Sequence, residues 1–265
     1  MRPTAVSRMN DKGLPTVILQ RGYGLRDVDK NLPMTHLTVQ PIASVTKSFT
    51  VAAMATLVRD GKLSWDKPVR DYMLDFKMFN DITTLNATPR DLVTHRTGLP
   101  RYDYSWFNSS ATREELYKRL QYLQPSAQLR ATWQYNNFMY MTAGYLGGKV
   151  AGMDWENLVR TNLLKPLNMG ASSLSIAEML KSLHVVAGYA CDENEVPKRI
   201  EYKPITTMAP TGAINSNMQE MAHYLQMRLA NGQFDGKTIL SAADIIEMPA
   251  KKTKPPLRSN SQRGF

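Results

Sequence analysis

Cysteine is almost absent from this sequence of 265 residues, in which Cys191 is the only one. An intrachain disulfide and a metal site built from several cysteines are therefore excluded. The sequence contains no run of about eighteen apolar residues, so no membrane-spanning helix is predicted. Residues 1–15 contain no apolar stretch of signal-peptide length, and the chain as written is expected to be cytoplasmic. With 43% apolar and 21% charged residues, the composition is that of an ordinary globular protein.

Acidic residues are fewer than basic ones, at 23 against 33, and the formal net charge is +10. Five of the basic residues lie in residues 251–265, which contain no acidic residue. Residues 249–265 are predicted to form a basic, disordered tail because they show no hydrophobic periodicity. A solvated tail on a mildly basic enzyme is the favoured interpretation, and no nucleic-acid partner is predicted. Polyanion binding through the tail is the weaker alternative, and it should weaken steeply with salt.

Signals for cofactors are also missing. His36, His184 and His223 have no partners at metal-ligand spacing. Gly22 and Gly24 lack the third glycine and the following helix of a dinucleotide-binding loop, and neither a phosphate-binding loop nor Gly-x-Ser-x-Gly occurs. No metal and no cofactor are predicted.

Helical periodicity dominates the middle of the chain, while strand signals are concentrated near the N-terminus. A buried helix is predicted to begin near Ser44 and to stop at Gly61. Thr88 and Pro89 are predicted to cap and open a short helix. The remaining predictions are strands at residues 16–24 and 38–42, and helices at residues 110–123, 138–150, 155–164 and 215–229.

Ser44 and Lys47 lie one helical turn apart on the same face of the first predicted helix. A serine hydroxyl is a good nucleophile only when a neighbouring base takes its proton, and a lysine serves as that base when burial lowers its pKa. Ser64 and Lys67 have the same spacing, but they lie in a polar stretch beyond Gly61. Taken alone, an N-capping serine followed by a surface lysine explains the Ser44 pattern equally well.

Tyr135 begins the only Tyr-x-Asn in the chain, in a loop-like stretch before an apolar helix. A tyrosine near a lysine ammonium exists partly as phenolate and exchanges protons with a serine and a leaving group. The amide of Asn137, two residues on, is suited to hydrogen-bond a substrate. Taken alone, Tyr135 is more simply one of twelve packed tyrosines.

Five segments, in order and spacing, resemble the serine β-lactamase and penicillin-binding-protein superfamily, above all class C β-lactamases, DD-peptidases and the esterases with a β-lactamase fold. The segments are IASVTKSFT, DLVTHRTGLPRYD, WQYNNFMYMTAGYLGGKVAGMDWENLV, LLKPLNM and APTGAINSNMQEMAHYL. The resemblance covers roughly residues 13–248. It implies one α+β hydrolase domain over that range, with a helical subdomain packed on an antiparallel sheet and the site at their junction.

The resemblance also implies roles for individual residues. Ser44 is expected to be acylated, Lys47 and Tyr135 to share general-base and general-acid duty, and Asn137 to contact the acyl amide of the substrate. The family's usual serine between the tyrosine and the asparagine is replaced by Asn136, a change expected to matter little. His95 is expected at a helix end and turn, so a structural role is favoured over a catalytic one.

One expected element is missing from the sequence. The family carries Lys-Thr-Gly or His-x-Gly on a strand that supplies a second oxyanion N–H, and neither Lys-Ser/Thr-Gly nor His-x-Gly occurs here. The central sheet is accordingly expected to be incomplete towards the C-terminus. Apolar helix faces, such as that of Phe49 and Met54, would then be uncovered, which predicts association with another copy or poor solubility.

Hydrolysis through an acyl-enzyme at Ser44 is therefore the predicted function. The resemblance points to esters, β-lactams and D-amino-acid peptides, and also to periplasmic or secreted relatives. Ester hydrolysis is favoured because it makes the smallest demand on leaving-group protonation. The alternative is a penicillin-binding-like remnant that binds ligand or is acylated without efficient turnover.

Overall fold

The computed structural model describes residues 2–248, and the predicted tail at residues 249–265 lies outside the described residues. The elements are β1 (Arg2–Met9), β2 (Pro15–Tyr23), β3 (Leu25–Asp27), β4 (Leu32–Pro33), β5 (Gln40–Pro41), α1 (Thr46–Arg59), α2 (Asp81–Asn86), α3 (Pro89–Val93), α4 (Arg113–Lys118), α5 (Asn137–Ala151), α6 (Trp155–Val159), α7 (Ile176–Met179), β6 (Gly188–Cys191), β7 (Pro197–Ile200), α8 (Ala209–Gly212), β8 (Asn215–Ser216), α9 (Met218–Leu229), β9 (Gln233–Phe234), β10 (Lys237–Thr238) and α10 (Ala242–Glu247). The predicted α+β class is confirmed.

All named strands of residues 2–248 pair antiparallel, in five separate pairs: β1 with β2, β3 with β4, β5 with β8, β6 with β7 and β9 with β10. The largest is the hairpin β1–β2, which packs on α9. Its turn is built by Asn10, whose side-chain oxygen accepts the N–H groups of Lys12 and Leu14. Gly13 completes the turn at φ 70°, a conformation that glycine adopts without strain.

The helices α1 and α5 form the centre of the hydrophobic core. The expectation of uncovered faces on the first helix is wrong, because Phe49 and Met54 are fully buried. Phe49 stacks on Tyr224 of α9 with ring centroids 4.1 Å apart. Tyr224 thus covers Phe49, and Met54 lies beside Gly147 of α5, where an added Cβ would be 3.5 Å from Met54 Cγ.

Local signals in the sequence set several helix ends. Thr88 caps α3 and exchanges hydrogen bonds with Asp91, which confirms the predicted cap and first-turn proline. Helix α1 ends at Arg59, and Gly61 follows at φ 70°. The helix predicted over residues 155–164 consists of α6 and a π-helical turn at Arg160–Leu164. In the described part of the chain, no helix has the length and apolarity needed to cross a membrane.

The segment around α8 is fixed against both central helices. Gly144 of α5 lies so close to Pro210 that an added Cβ would be 2.4 Å from the proline ring. Thr50 of α1 donates its hydroxyl to the Pro210 carbonyl at 2.7 Å. Pairing of β5 with β8 then places residues 40–41 beside residues 215–216. These contacts bring the start of α1 against the end of α8.

Candidate active site

Ser44 lies in a 3-10 turn, Ala43–Val45, that leads directly into α1. Its side chain is open to solvent. Lys47, in the first turn of α1, donates from Nζ to the Ser44 Oγ at 3.2 Å. The predicted pair of hydroxyl and amine is therefore in contact, with the hydroxyl accessible to a substrate.

Ala43, immediately before the nucleophile candidate, has φ 46°. This left-handed conformation is unfavourable for residues other than glycine, by about 1–2 kcal/mol. Non-glycine residues in such conformations cluster at functional sites, where the surrounding structure holds them. Here, the N–H of Ile42 donates to the Ile214 carbonyl at 3.0 Å, and the hydroxyl of Thr46 accepts from the Ile214 N–H at 3.1 Å.

Lys47 is 7% exposed and lies between two oxygen acceptors. Besides Ser44 Oγ, it donates to the backbone carbonyl of Thr211 at 2.8 Å. Burial lowers the pKa of the Lys47 amine, against opposing interactions with Tyr135 and Asp103 that raise it. A lowered pKa is the property that a lysine needs in order to handle protons near neutral pH.

The hydroxyl of Tyr135 is 2.7 Å from Ser44 Oγ, so the third predicted group joins the other two. Lys47 Nζ lies 4.9 Å from the centroid of the Tyr135 ring. Burial raises the pKa of this phenol, but the interactions with Lys47, Ser44 and Arg101 outweigh burial and lower it. Ser44, Lys47 and Tyr135 therefore converge although 91 residues separate the serine from the tyrosine.

Asn137, the predicted substrate ligand, is the first residue of α5 and is 8% exposed. Its side-chain N–H group donates to Asp103 Oδ1 at 3.0 Å. Asp103 in turn pairs with Arg101 at 2.6 Å and accepts from the Trp106 indole N–H at 3.1 Å. The amide is thus held in one orientation at the edge of the site.

Asn136, which stands where the family usually has serine, connects two parts of the site. It is fully buried and caps α5 by accepting the Met139 N–H at 2.9 Å. Its side-chain N–H groups donate to the carbonyls of Leu99 and Pro100, at 3.1 Å and 2.5 Å. This one side chain therefore fastens the loop of the HRTGLP segment to the start of α5.

His95 has a supporting position. Its Nδ1 accepts the backbone N–H of Asn136 at 3.1 Å, and its ring lies 4.8 Å from that of Tyr135. Burial, and secondarily the charge of Lys47, lower its pKa to about 4. A neutral imidazole that accepts a backbone hydrogen bond orients the loop that carries Tyr135.

Arg101 and Thr211 also contribute to the site, as Asp103 does, although no residue pattern in the sequence marks them. Arg101 places its guanidinium carbon 4.9 Å from the centroid of the Tyr135 ring. Thr211 contributes only a backbone carbonyl, which no residue-type pattern marks. The segments GLPRYD and APTGAINSN, in which they lie, were the available signal.

The other Ser-x-x-Lys lies elsewhere. Ser64 accepts the backbone N–H of Asp66 in a bend, and its own N–H donates to the Tyr72 hydroxyl at 2.8 Å. Within residues 2–248, no cluster of three or more His, Cys, Asp or Glu side chains could hold a metal ion. Cys191 is exposed on β6.

Comparison with known proteins gives the family. The model of the beta-lactamase family matches residues 15–264. A protein named "Unguisins hydrolase ungD'" from Aspergillus campestris is 30% identical over 220 residues, 77% of this chain and 40% of that protein. "Protein flp" from Staphylococcus aureus is 25% identical over 218 residues, 80% of this chain and 43% of that protein. The chain thus spans less than half the length of these two curated relatives.

The fold has a solved counterpart. The octameric penicillin-binding protein homologue from Pyrococcus abyssi superimposes with a TM-score of 0.77 at 26% identity, covering 96% of this chain and 57% of that one. This likeness agrees with the β-lactamase/transpeptidase-like fold that the sequence predicted. With the family model matching nearly the whole sequence, the chain belongs to the β-lactamase family.

Proposed function

We propose that this protein is a serine hydrolase that forms an acyl-enzyme at Ser44 and that carboxylic esters are its preferred substrates. The convergence of the Ser44 hydroxyl, the Lys47 amine and the Tyr135 phenol carries the proposal. A nucleophile within hydrogen-bonding reach of a base, with that base tuned by a neighbouring charge, is the arrangement that covalent catalysis requires.

In the proposed acylation, the Tyr135 phenolate takes the Ser44 proton as Oγ bonds to the ester carbonyl carbon. The Lys47 ammonium stabilises the phenolate, and the N-terminus of α1 favours the negative charge that develops on the carbonyl oxygen. When the tetrahedral intermediate collapses, the departing alkoxide takes the proton from Tyr135. The acyl group is then bound to Ser44 Oγ, and Tyr135 is again a phenolate.

Deacylation repeats these proton transfers with water. Tyr135 takes a proton from a water molecule whose oxygen bonds to the acyl carbonyl carbon. The second tetrahedral intermediate releases the carboxylic acid, and the Ser44 oxygen regains its proton from Tyr135. Esters suit this machinery because an alkoxide or phenolate needs less help from a proton donor than an amine does.

The second candidate is a protein that is acylated by β-lactams without efficient turnover. It is favoured by one sequence observation, the missing Lys-Ser/Thr-Gly or His-x-Gly. Loss of one oxyanion donor typically lowers kcat by about a hundredfold to a thousandfold. Such a loss would leave an acyl-enzyme that forms and decays slowly.

The test compares a chromogenic short-chain ester, a chromogenic cephalosporin and a fluorescent penicillin. Ester hydrolysis that disappears in Ser44→Ala and falls at least about a hundredfold in Tyr135→Phe supports the proposal. The matched control is Ser64→Ala, which removes the serine of the other Ser-x-x-Lys and should behave as wild type. Stable penicillin labelling without turnover supports the second candidate. Turnover that survives in Ser44→Ala contradicts both.

A further inference from the structure

Two side chains, one helical turn apart, join α1 to α8. Lys47 donates from Nζ to the Thr211 carbonyl at 2.8 Å. Thr50, three residues later, donates from its hydroxyl to the Pro210 carbonyl at 2.7 Å. Residues three apart in a helix lie on the same face, and the two acceptors belong to successive residues. The amine and the hydroxyl therefore bind neighbouring carbonyls of one short segment.

Thr50 is completely buried, and its hydroxyl makes two hydrogen bonds. Thr50 is 0% exposed, and besides donating to Pro210 it accepts the indole N–H of Trp155 at 3.1 Å. Pro210 and Trp155 are buried as well. A carbonyl or an indole N–H that is buried without a partner is costly, so this arrangement has one favourable geometry. The hydroxyl therefore fixes the Pro210 carbonyl relative to α1.

A fixed Pro210 carbonyl also fixes the acceptor of Lys47. The peptide group that joins Pro210 to Thr211 is planar, so its carbonyl, its N–H and the Thr211 Cα move together. Thr211 lies within α8, whose helical backbone limits the one rotation that remains before the Thr211 carbonyl. This carbonyl is closer to Lys47 Nζ than Ser44 Oγ is, at 2.8 Å against 3.2 Å. Thr50 thus acts on the place where the amine meets Ser44.

We propose that Thr50 is a positioning residue for Lys47: through Pro210, its hydroxyl holds the Thr211 carbonyl where that carbonyl keeps the amine against Ser44. The proposal rests on the proposed function and adds to it a residue that does not touch the substrate or the reacting atoms. In the proposed acylation, the Lys47 ammonium stabilises the phenolate that takes the serine proton. A displaced amine should weaken that step, because a misplacement of about 1 Å can cost about a hundredfold in rate.

The same contact bears on the protonation of Lys47. A carbonyl oxygen favours the ammonium form, so a loosened Thr211 carbonyl should lower the pKa of the amine beyond the lowering that burial causes. Activity should then be lost at lower pH on the alkaline side, where the ammonium gives up its proton. A substitution at Thr50 leaves the other groups that face the amine unchanged. These groups are Tyr135, Tyr140, His95, Arg101 and Asp103.

The experiment compares Thr50→Val with Thr56→Val in the full chain. Thr56 is also buried on α1, and its hydroxyl also has two partners, since it donates to the Ala53 carbonyl at 2.7 Å and accepts from Asn162 at 2.7 Å. Both substitutions should lower the thermal unfolding temperature, because each leaves buried partners unpaired. Thr50→Val alone should lower kcat of ester hydrolysis, by about ten- to a hundredfold, and move the alkaline limb of the pH–rate profile to lower pH. Thr50→Ser, which keeps the hydroxyl, should restore both.

A readout without turnover separates this proposal from the proposed function. In protein that is isotope-labelled at the lysine ε-carbons, the magnetic resonance signal that is lost in Lys47→Met belongs to Lys47 and reports its pKa. This pKa should be lower in Thr50→Val, and in Thr50→Ala as a second variant, than in wild type and Thr56→Val. An unchanged Lys47 pKa together with a pH–rate profile of unchanged shape, in either folded Thr50 variant, overturns the role of Thr50 alone. If the pKa moves as expected but no ester is hydrolysed through Ser44, the proposed function fails and the positioning of the amine stands.

Discussion

Arg101 brings a second positive charge to the Tyr135 phenol, in addition to Lys47. Its charge lowers the pKa of both groups, while Asp103, its ion-pair partner, opposes it at Lys47. The buried ring of His95, beside Tyr135, is neutral near pH 7 because its pKa is about 4. Arg101 and Lys47 are thus the two cations that favour the phenolate form of Tyr135.

Arg101→Gln should therefore move the rising limb of the pH–rate profile of ester hydrolysis to higher pH. The reason is that the phenolate, the form that accepts the Ser44 proton, loses a favourable charge. Arg101→Lys keeps a charge at this position and should restore much of the wild-type profile. Because Arg101 is exposed, added salt should reduce the difference. Superimposable pH–rate profiles for wild type and Arg101→Gln would show that Arg101 has no role in the mechanism.

Asn136→Ala should destabilise the protein by about 2–4 kcal/mol. Loss of an N-cap costs about 1 kcal/mol, and carbonyls left without a partner in a buried place add about 1–3 kcal/mol. Asn80→Ala is the matched control, since Asn80 caps α2 by accepting the Thr83 N–H. Urea unfolding, followed by circular dichroism, measures both variants. Equal losses for the two would show that Asn136 acts only as a cap.

The pKa of His95 predicts a loss of stability in acid. The unfolded chain takes up this proton near pH 6.5, but the folded protein does so only near pH 4. The contribution of neutral His95 to the free energy of unfolding is fully present above pH 6.5. It is lost as pH falls from 6.5 to 4, by roughly 3 kcal/mol. His95→Asn should flatten the plot of unfolding free energy against pH between pH 4 and 6.5, measured by urea unfolding. Asparagine tolerates the left-handed backbone at this position (φ 60°) and does not titrate. Parallel wild-type and mutant curves would contradict the prediction.

The contact between α5 and α8 links helix packing to the candidate active site. A Cβ at Gly144 would lie 2.4 Å from Pro210 Cβ and 2.9 Å from Trp155 Cδ1, so α8 would have to move. Helix α8 carries Thr211, whose carbonyl holds Lys47. A change at this contact therefore reaches the Lys47 amine in the candidate active site.

Gly144→Ala should lower stability by about 1–3 kcal/mol through overpacking and should also reduce kcat. Gly147→Ala on the same helix is the control, because its Cβ would meet only flexible side chains, the nearest atoms being Leu158 Cδ2 at 3.3 Å and Met54 Cγ at 3.5 Å. That variant should be neutral or more stable by up to about 1 kcal/mol, since alanine is the better helix former. Thermal unfolding and ester kinetics measure both. Equal behaviour of the two would show that the α5–α8 contact is not tight.

Elements with a local cause were predictable from the sequence. Thr88 begins α3 through its own side chain, and the spacing of Ser44 and Lys47 is converted into proximity by a single helical turn. Strand β1 was not predicted, because it depends on its pairing with β2 more than on its own residues. Arg101 and Thr211 reach the site only through the packing of distant segments, which no local pattern encodes.

The outer surface of the molecule bears on self-association. The predicted cause, uncovered apolar faces of the first helix, is wrong, because Phe49 and Met54 are buried. Apolar side chains are instead exposed on the hairpin β1–β2 and its turn, among them Leu14, Ile18 and Leu19. Several exposed apolar side chains on one hairpin favour contact with another copy.

We therefore expect the protein to self-associate through the hairpin in a concentration-dependent way. Ile18→Lys should shift the population towards the monomer, because a charge is costly to bury in an apolar contact. Leu74→Lys, at a leucine that is even more exposed and lies outside the hairpin, should change nothing. Multi-angle light scattering over a range of concentrations gives the masses. A monodisperse wild-type monomer would contradict the expectation.

The left-handed backbone at Ala43 has a consequence for how this protein can evolve. Glycine would relieve the conformational penalty of about 1–2 kcal/mol, but it would also allow the peptide before Ser44 to take up many other shapes. Alanine restricts the backbone at this position more than glycine would. Selection for greater stability should therefore favour glycine at position 43, whereas selection for faster turnover should favour alanine.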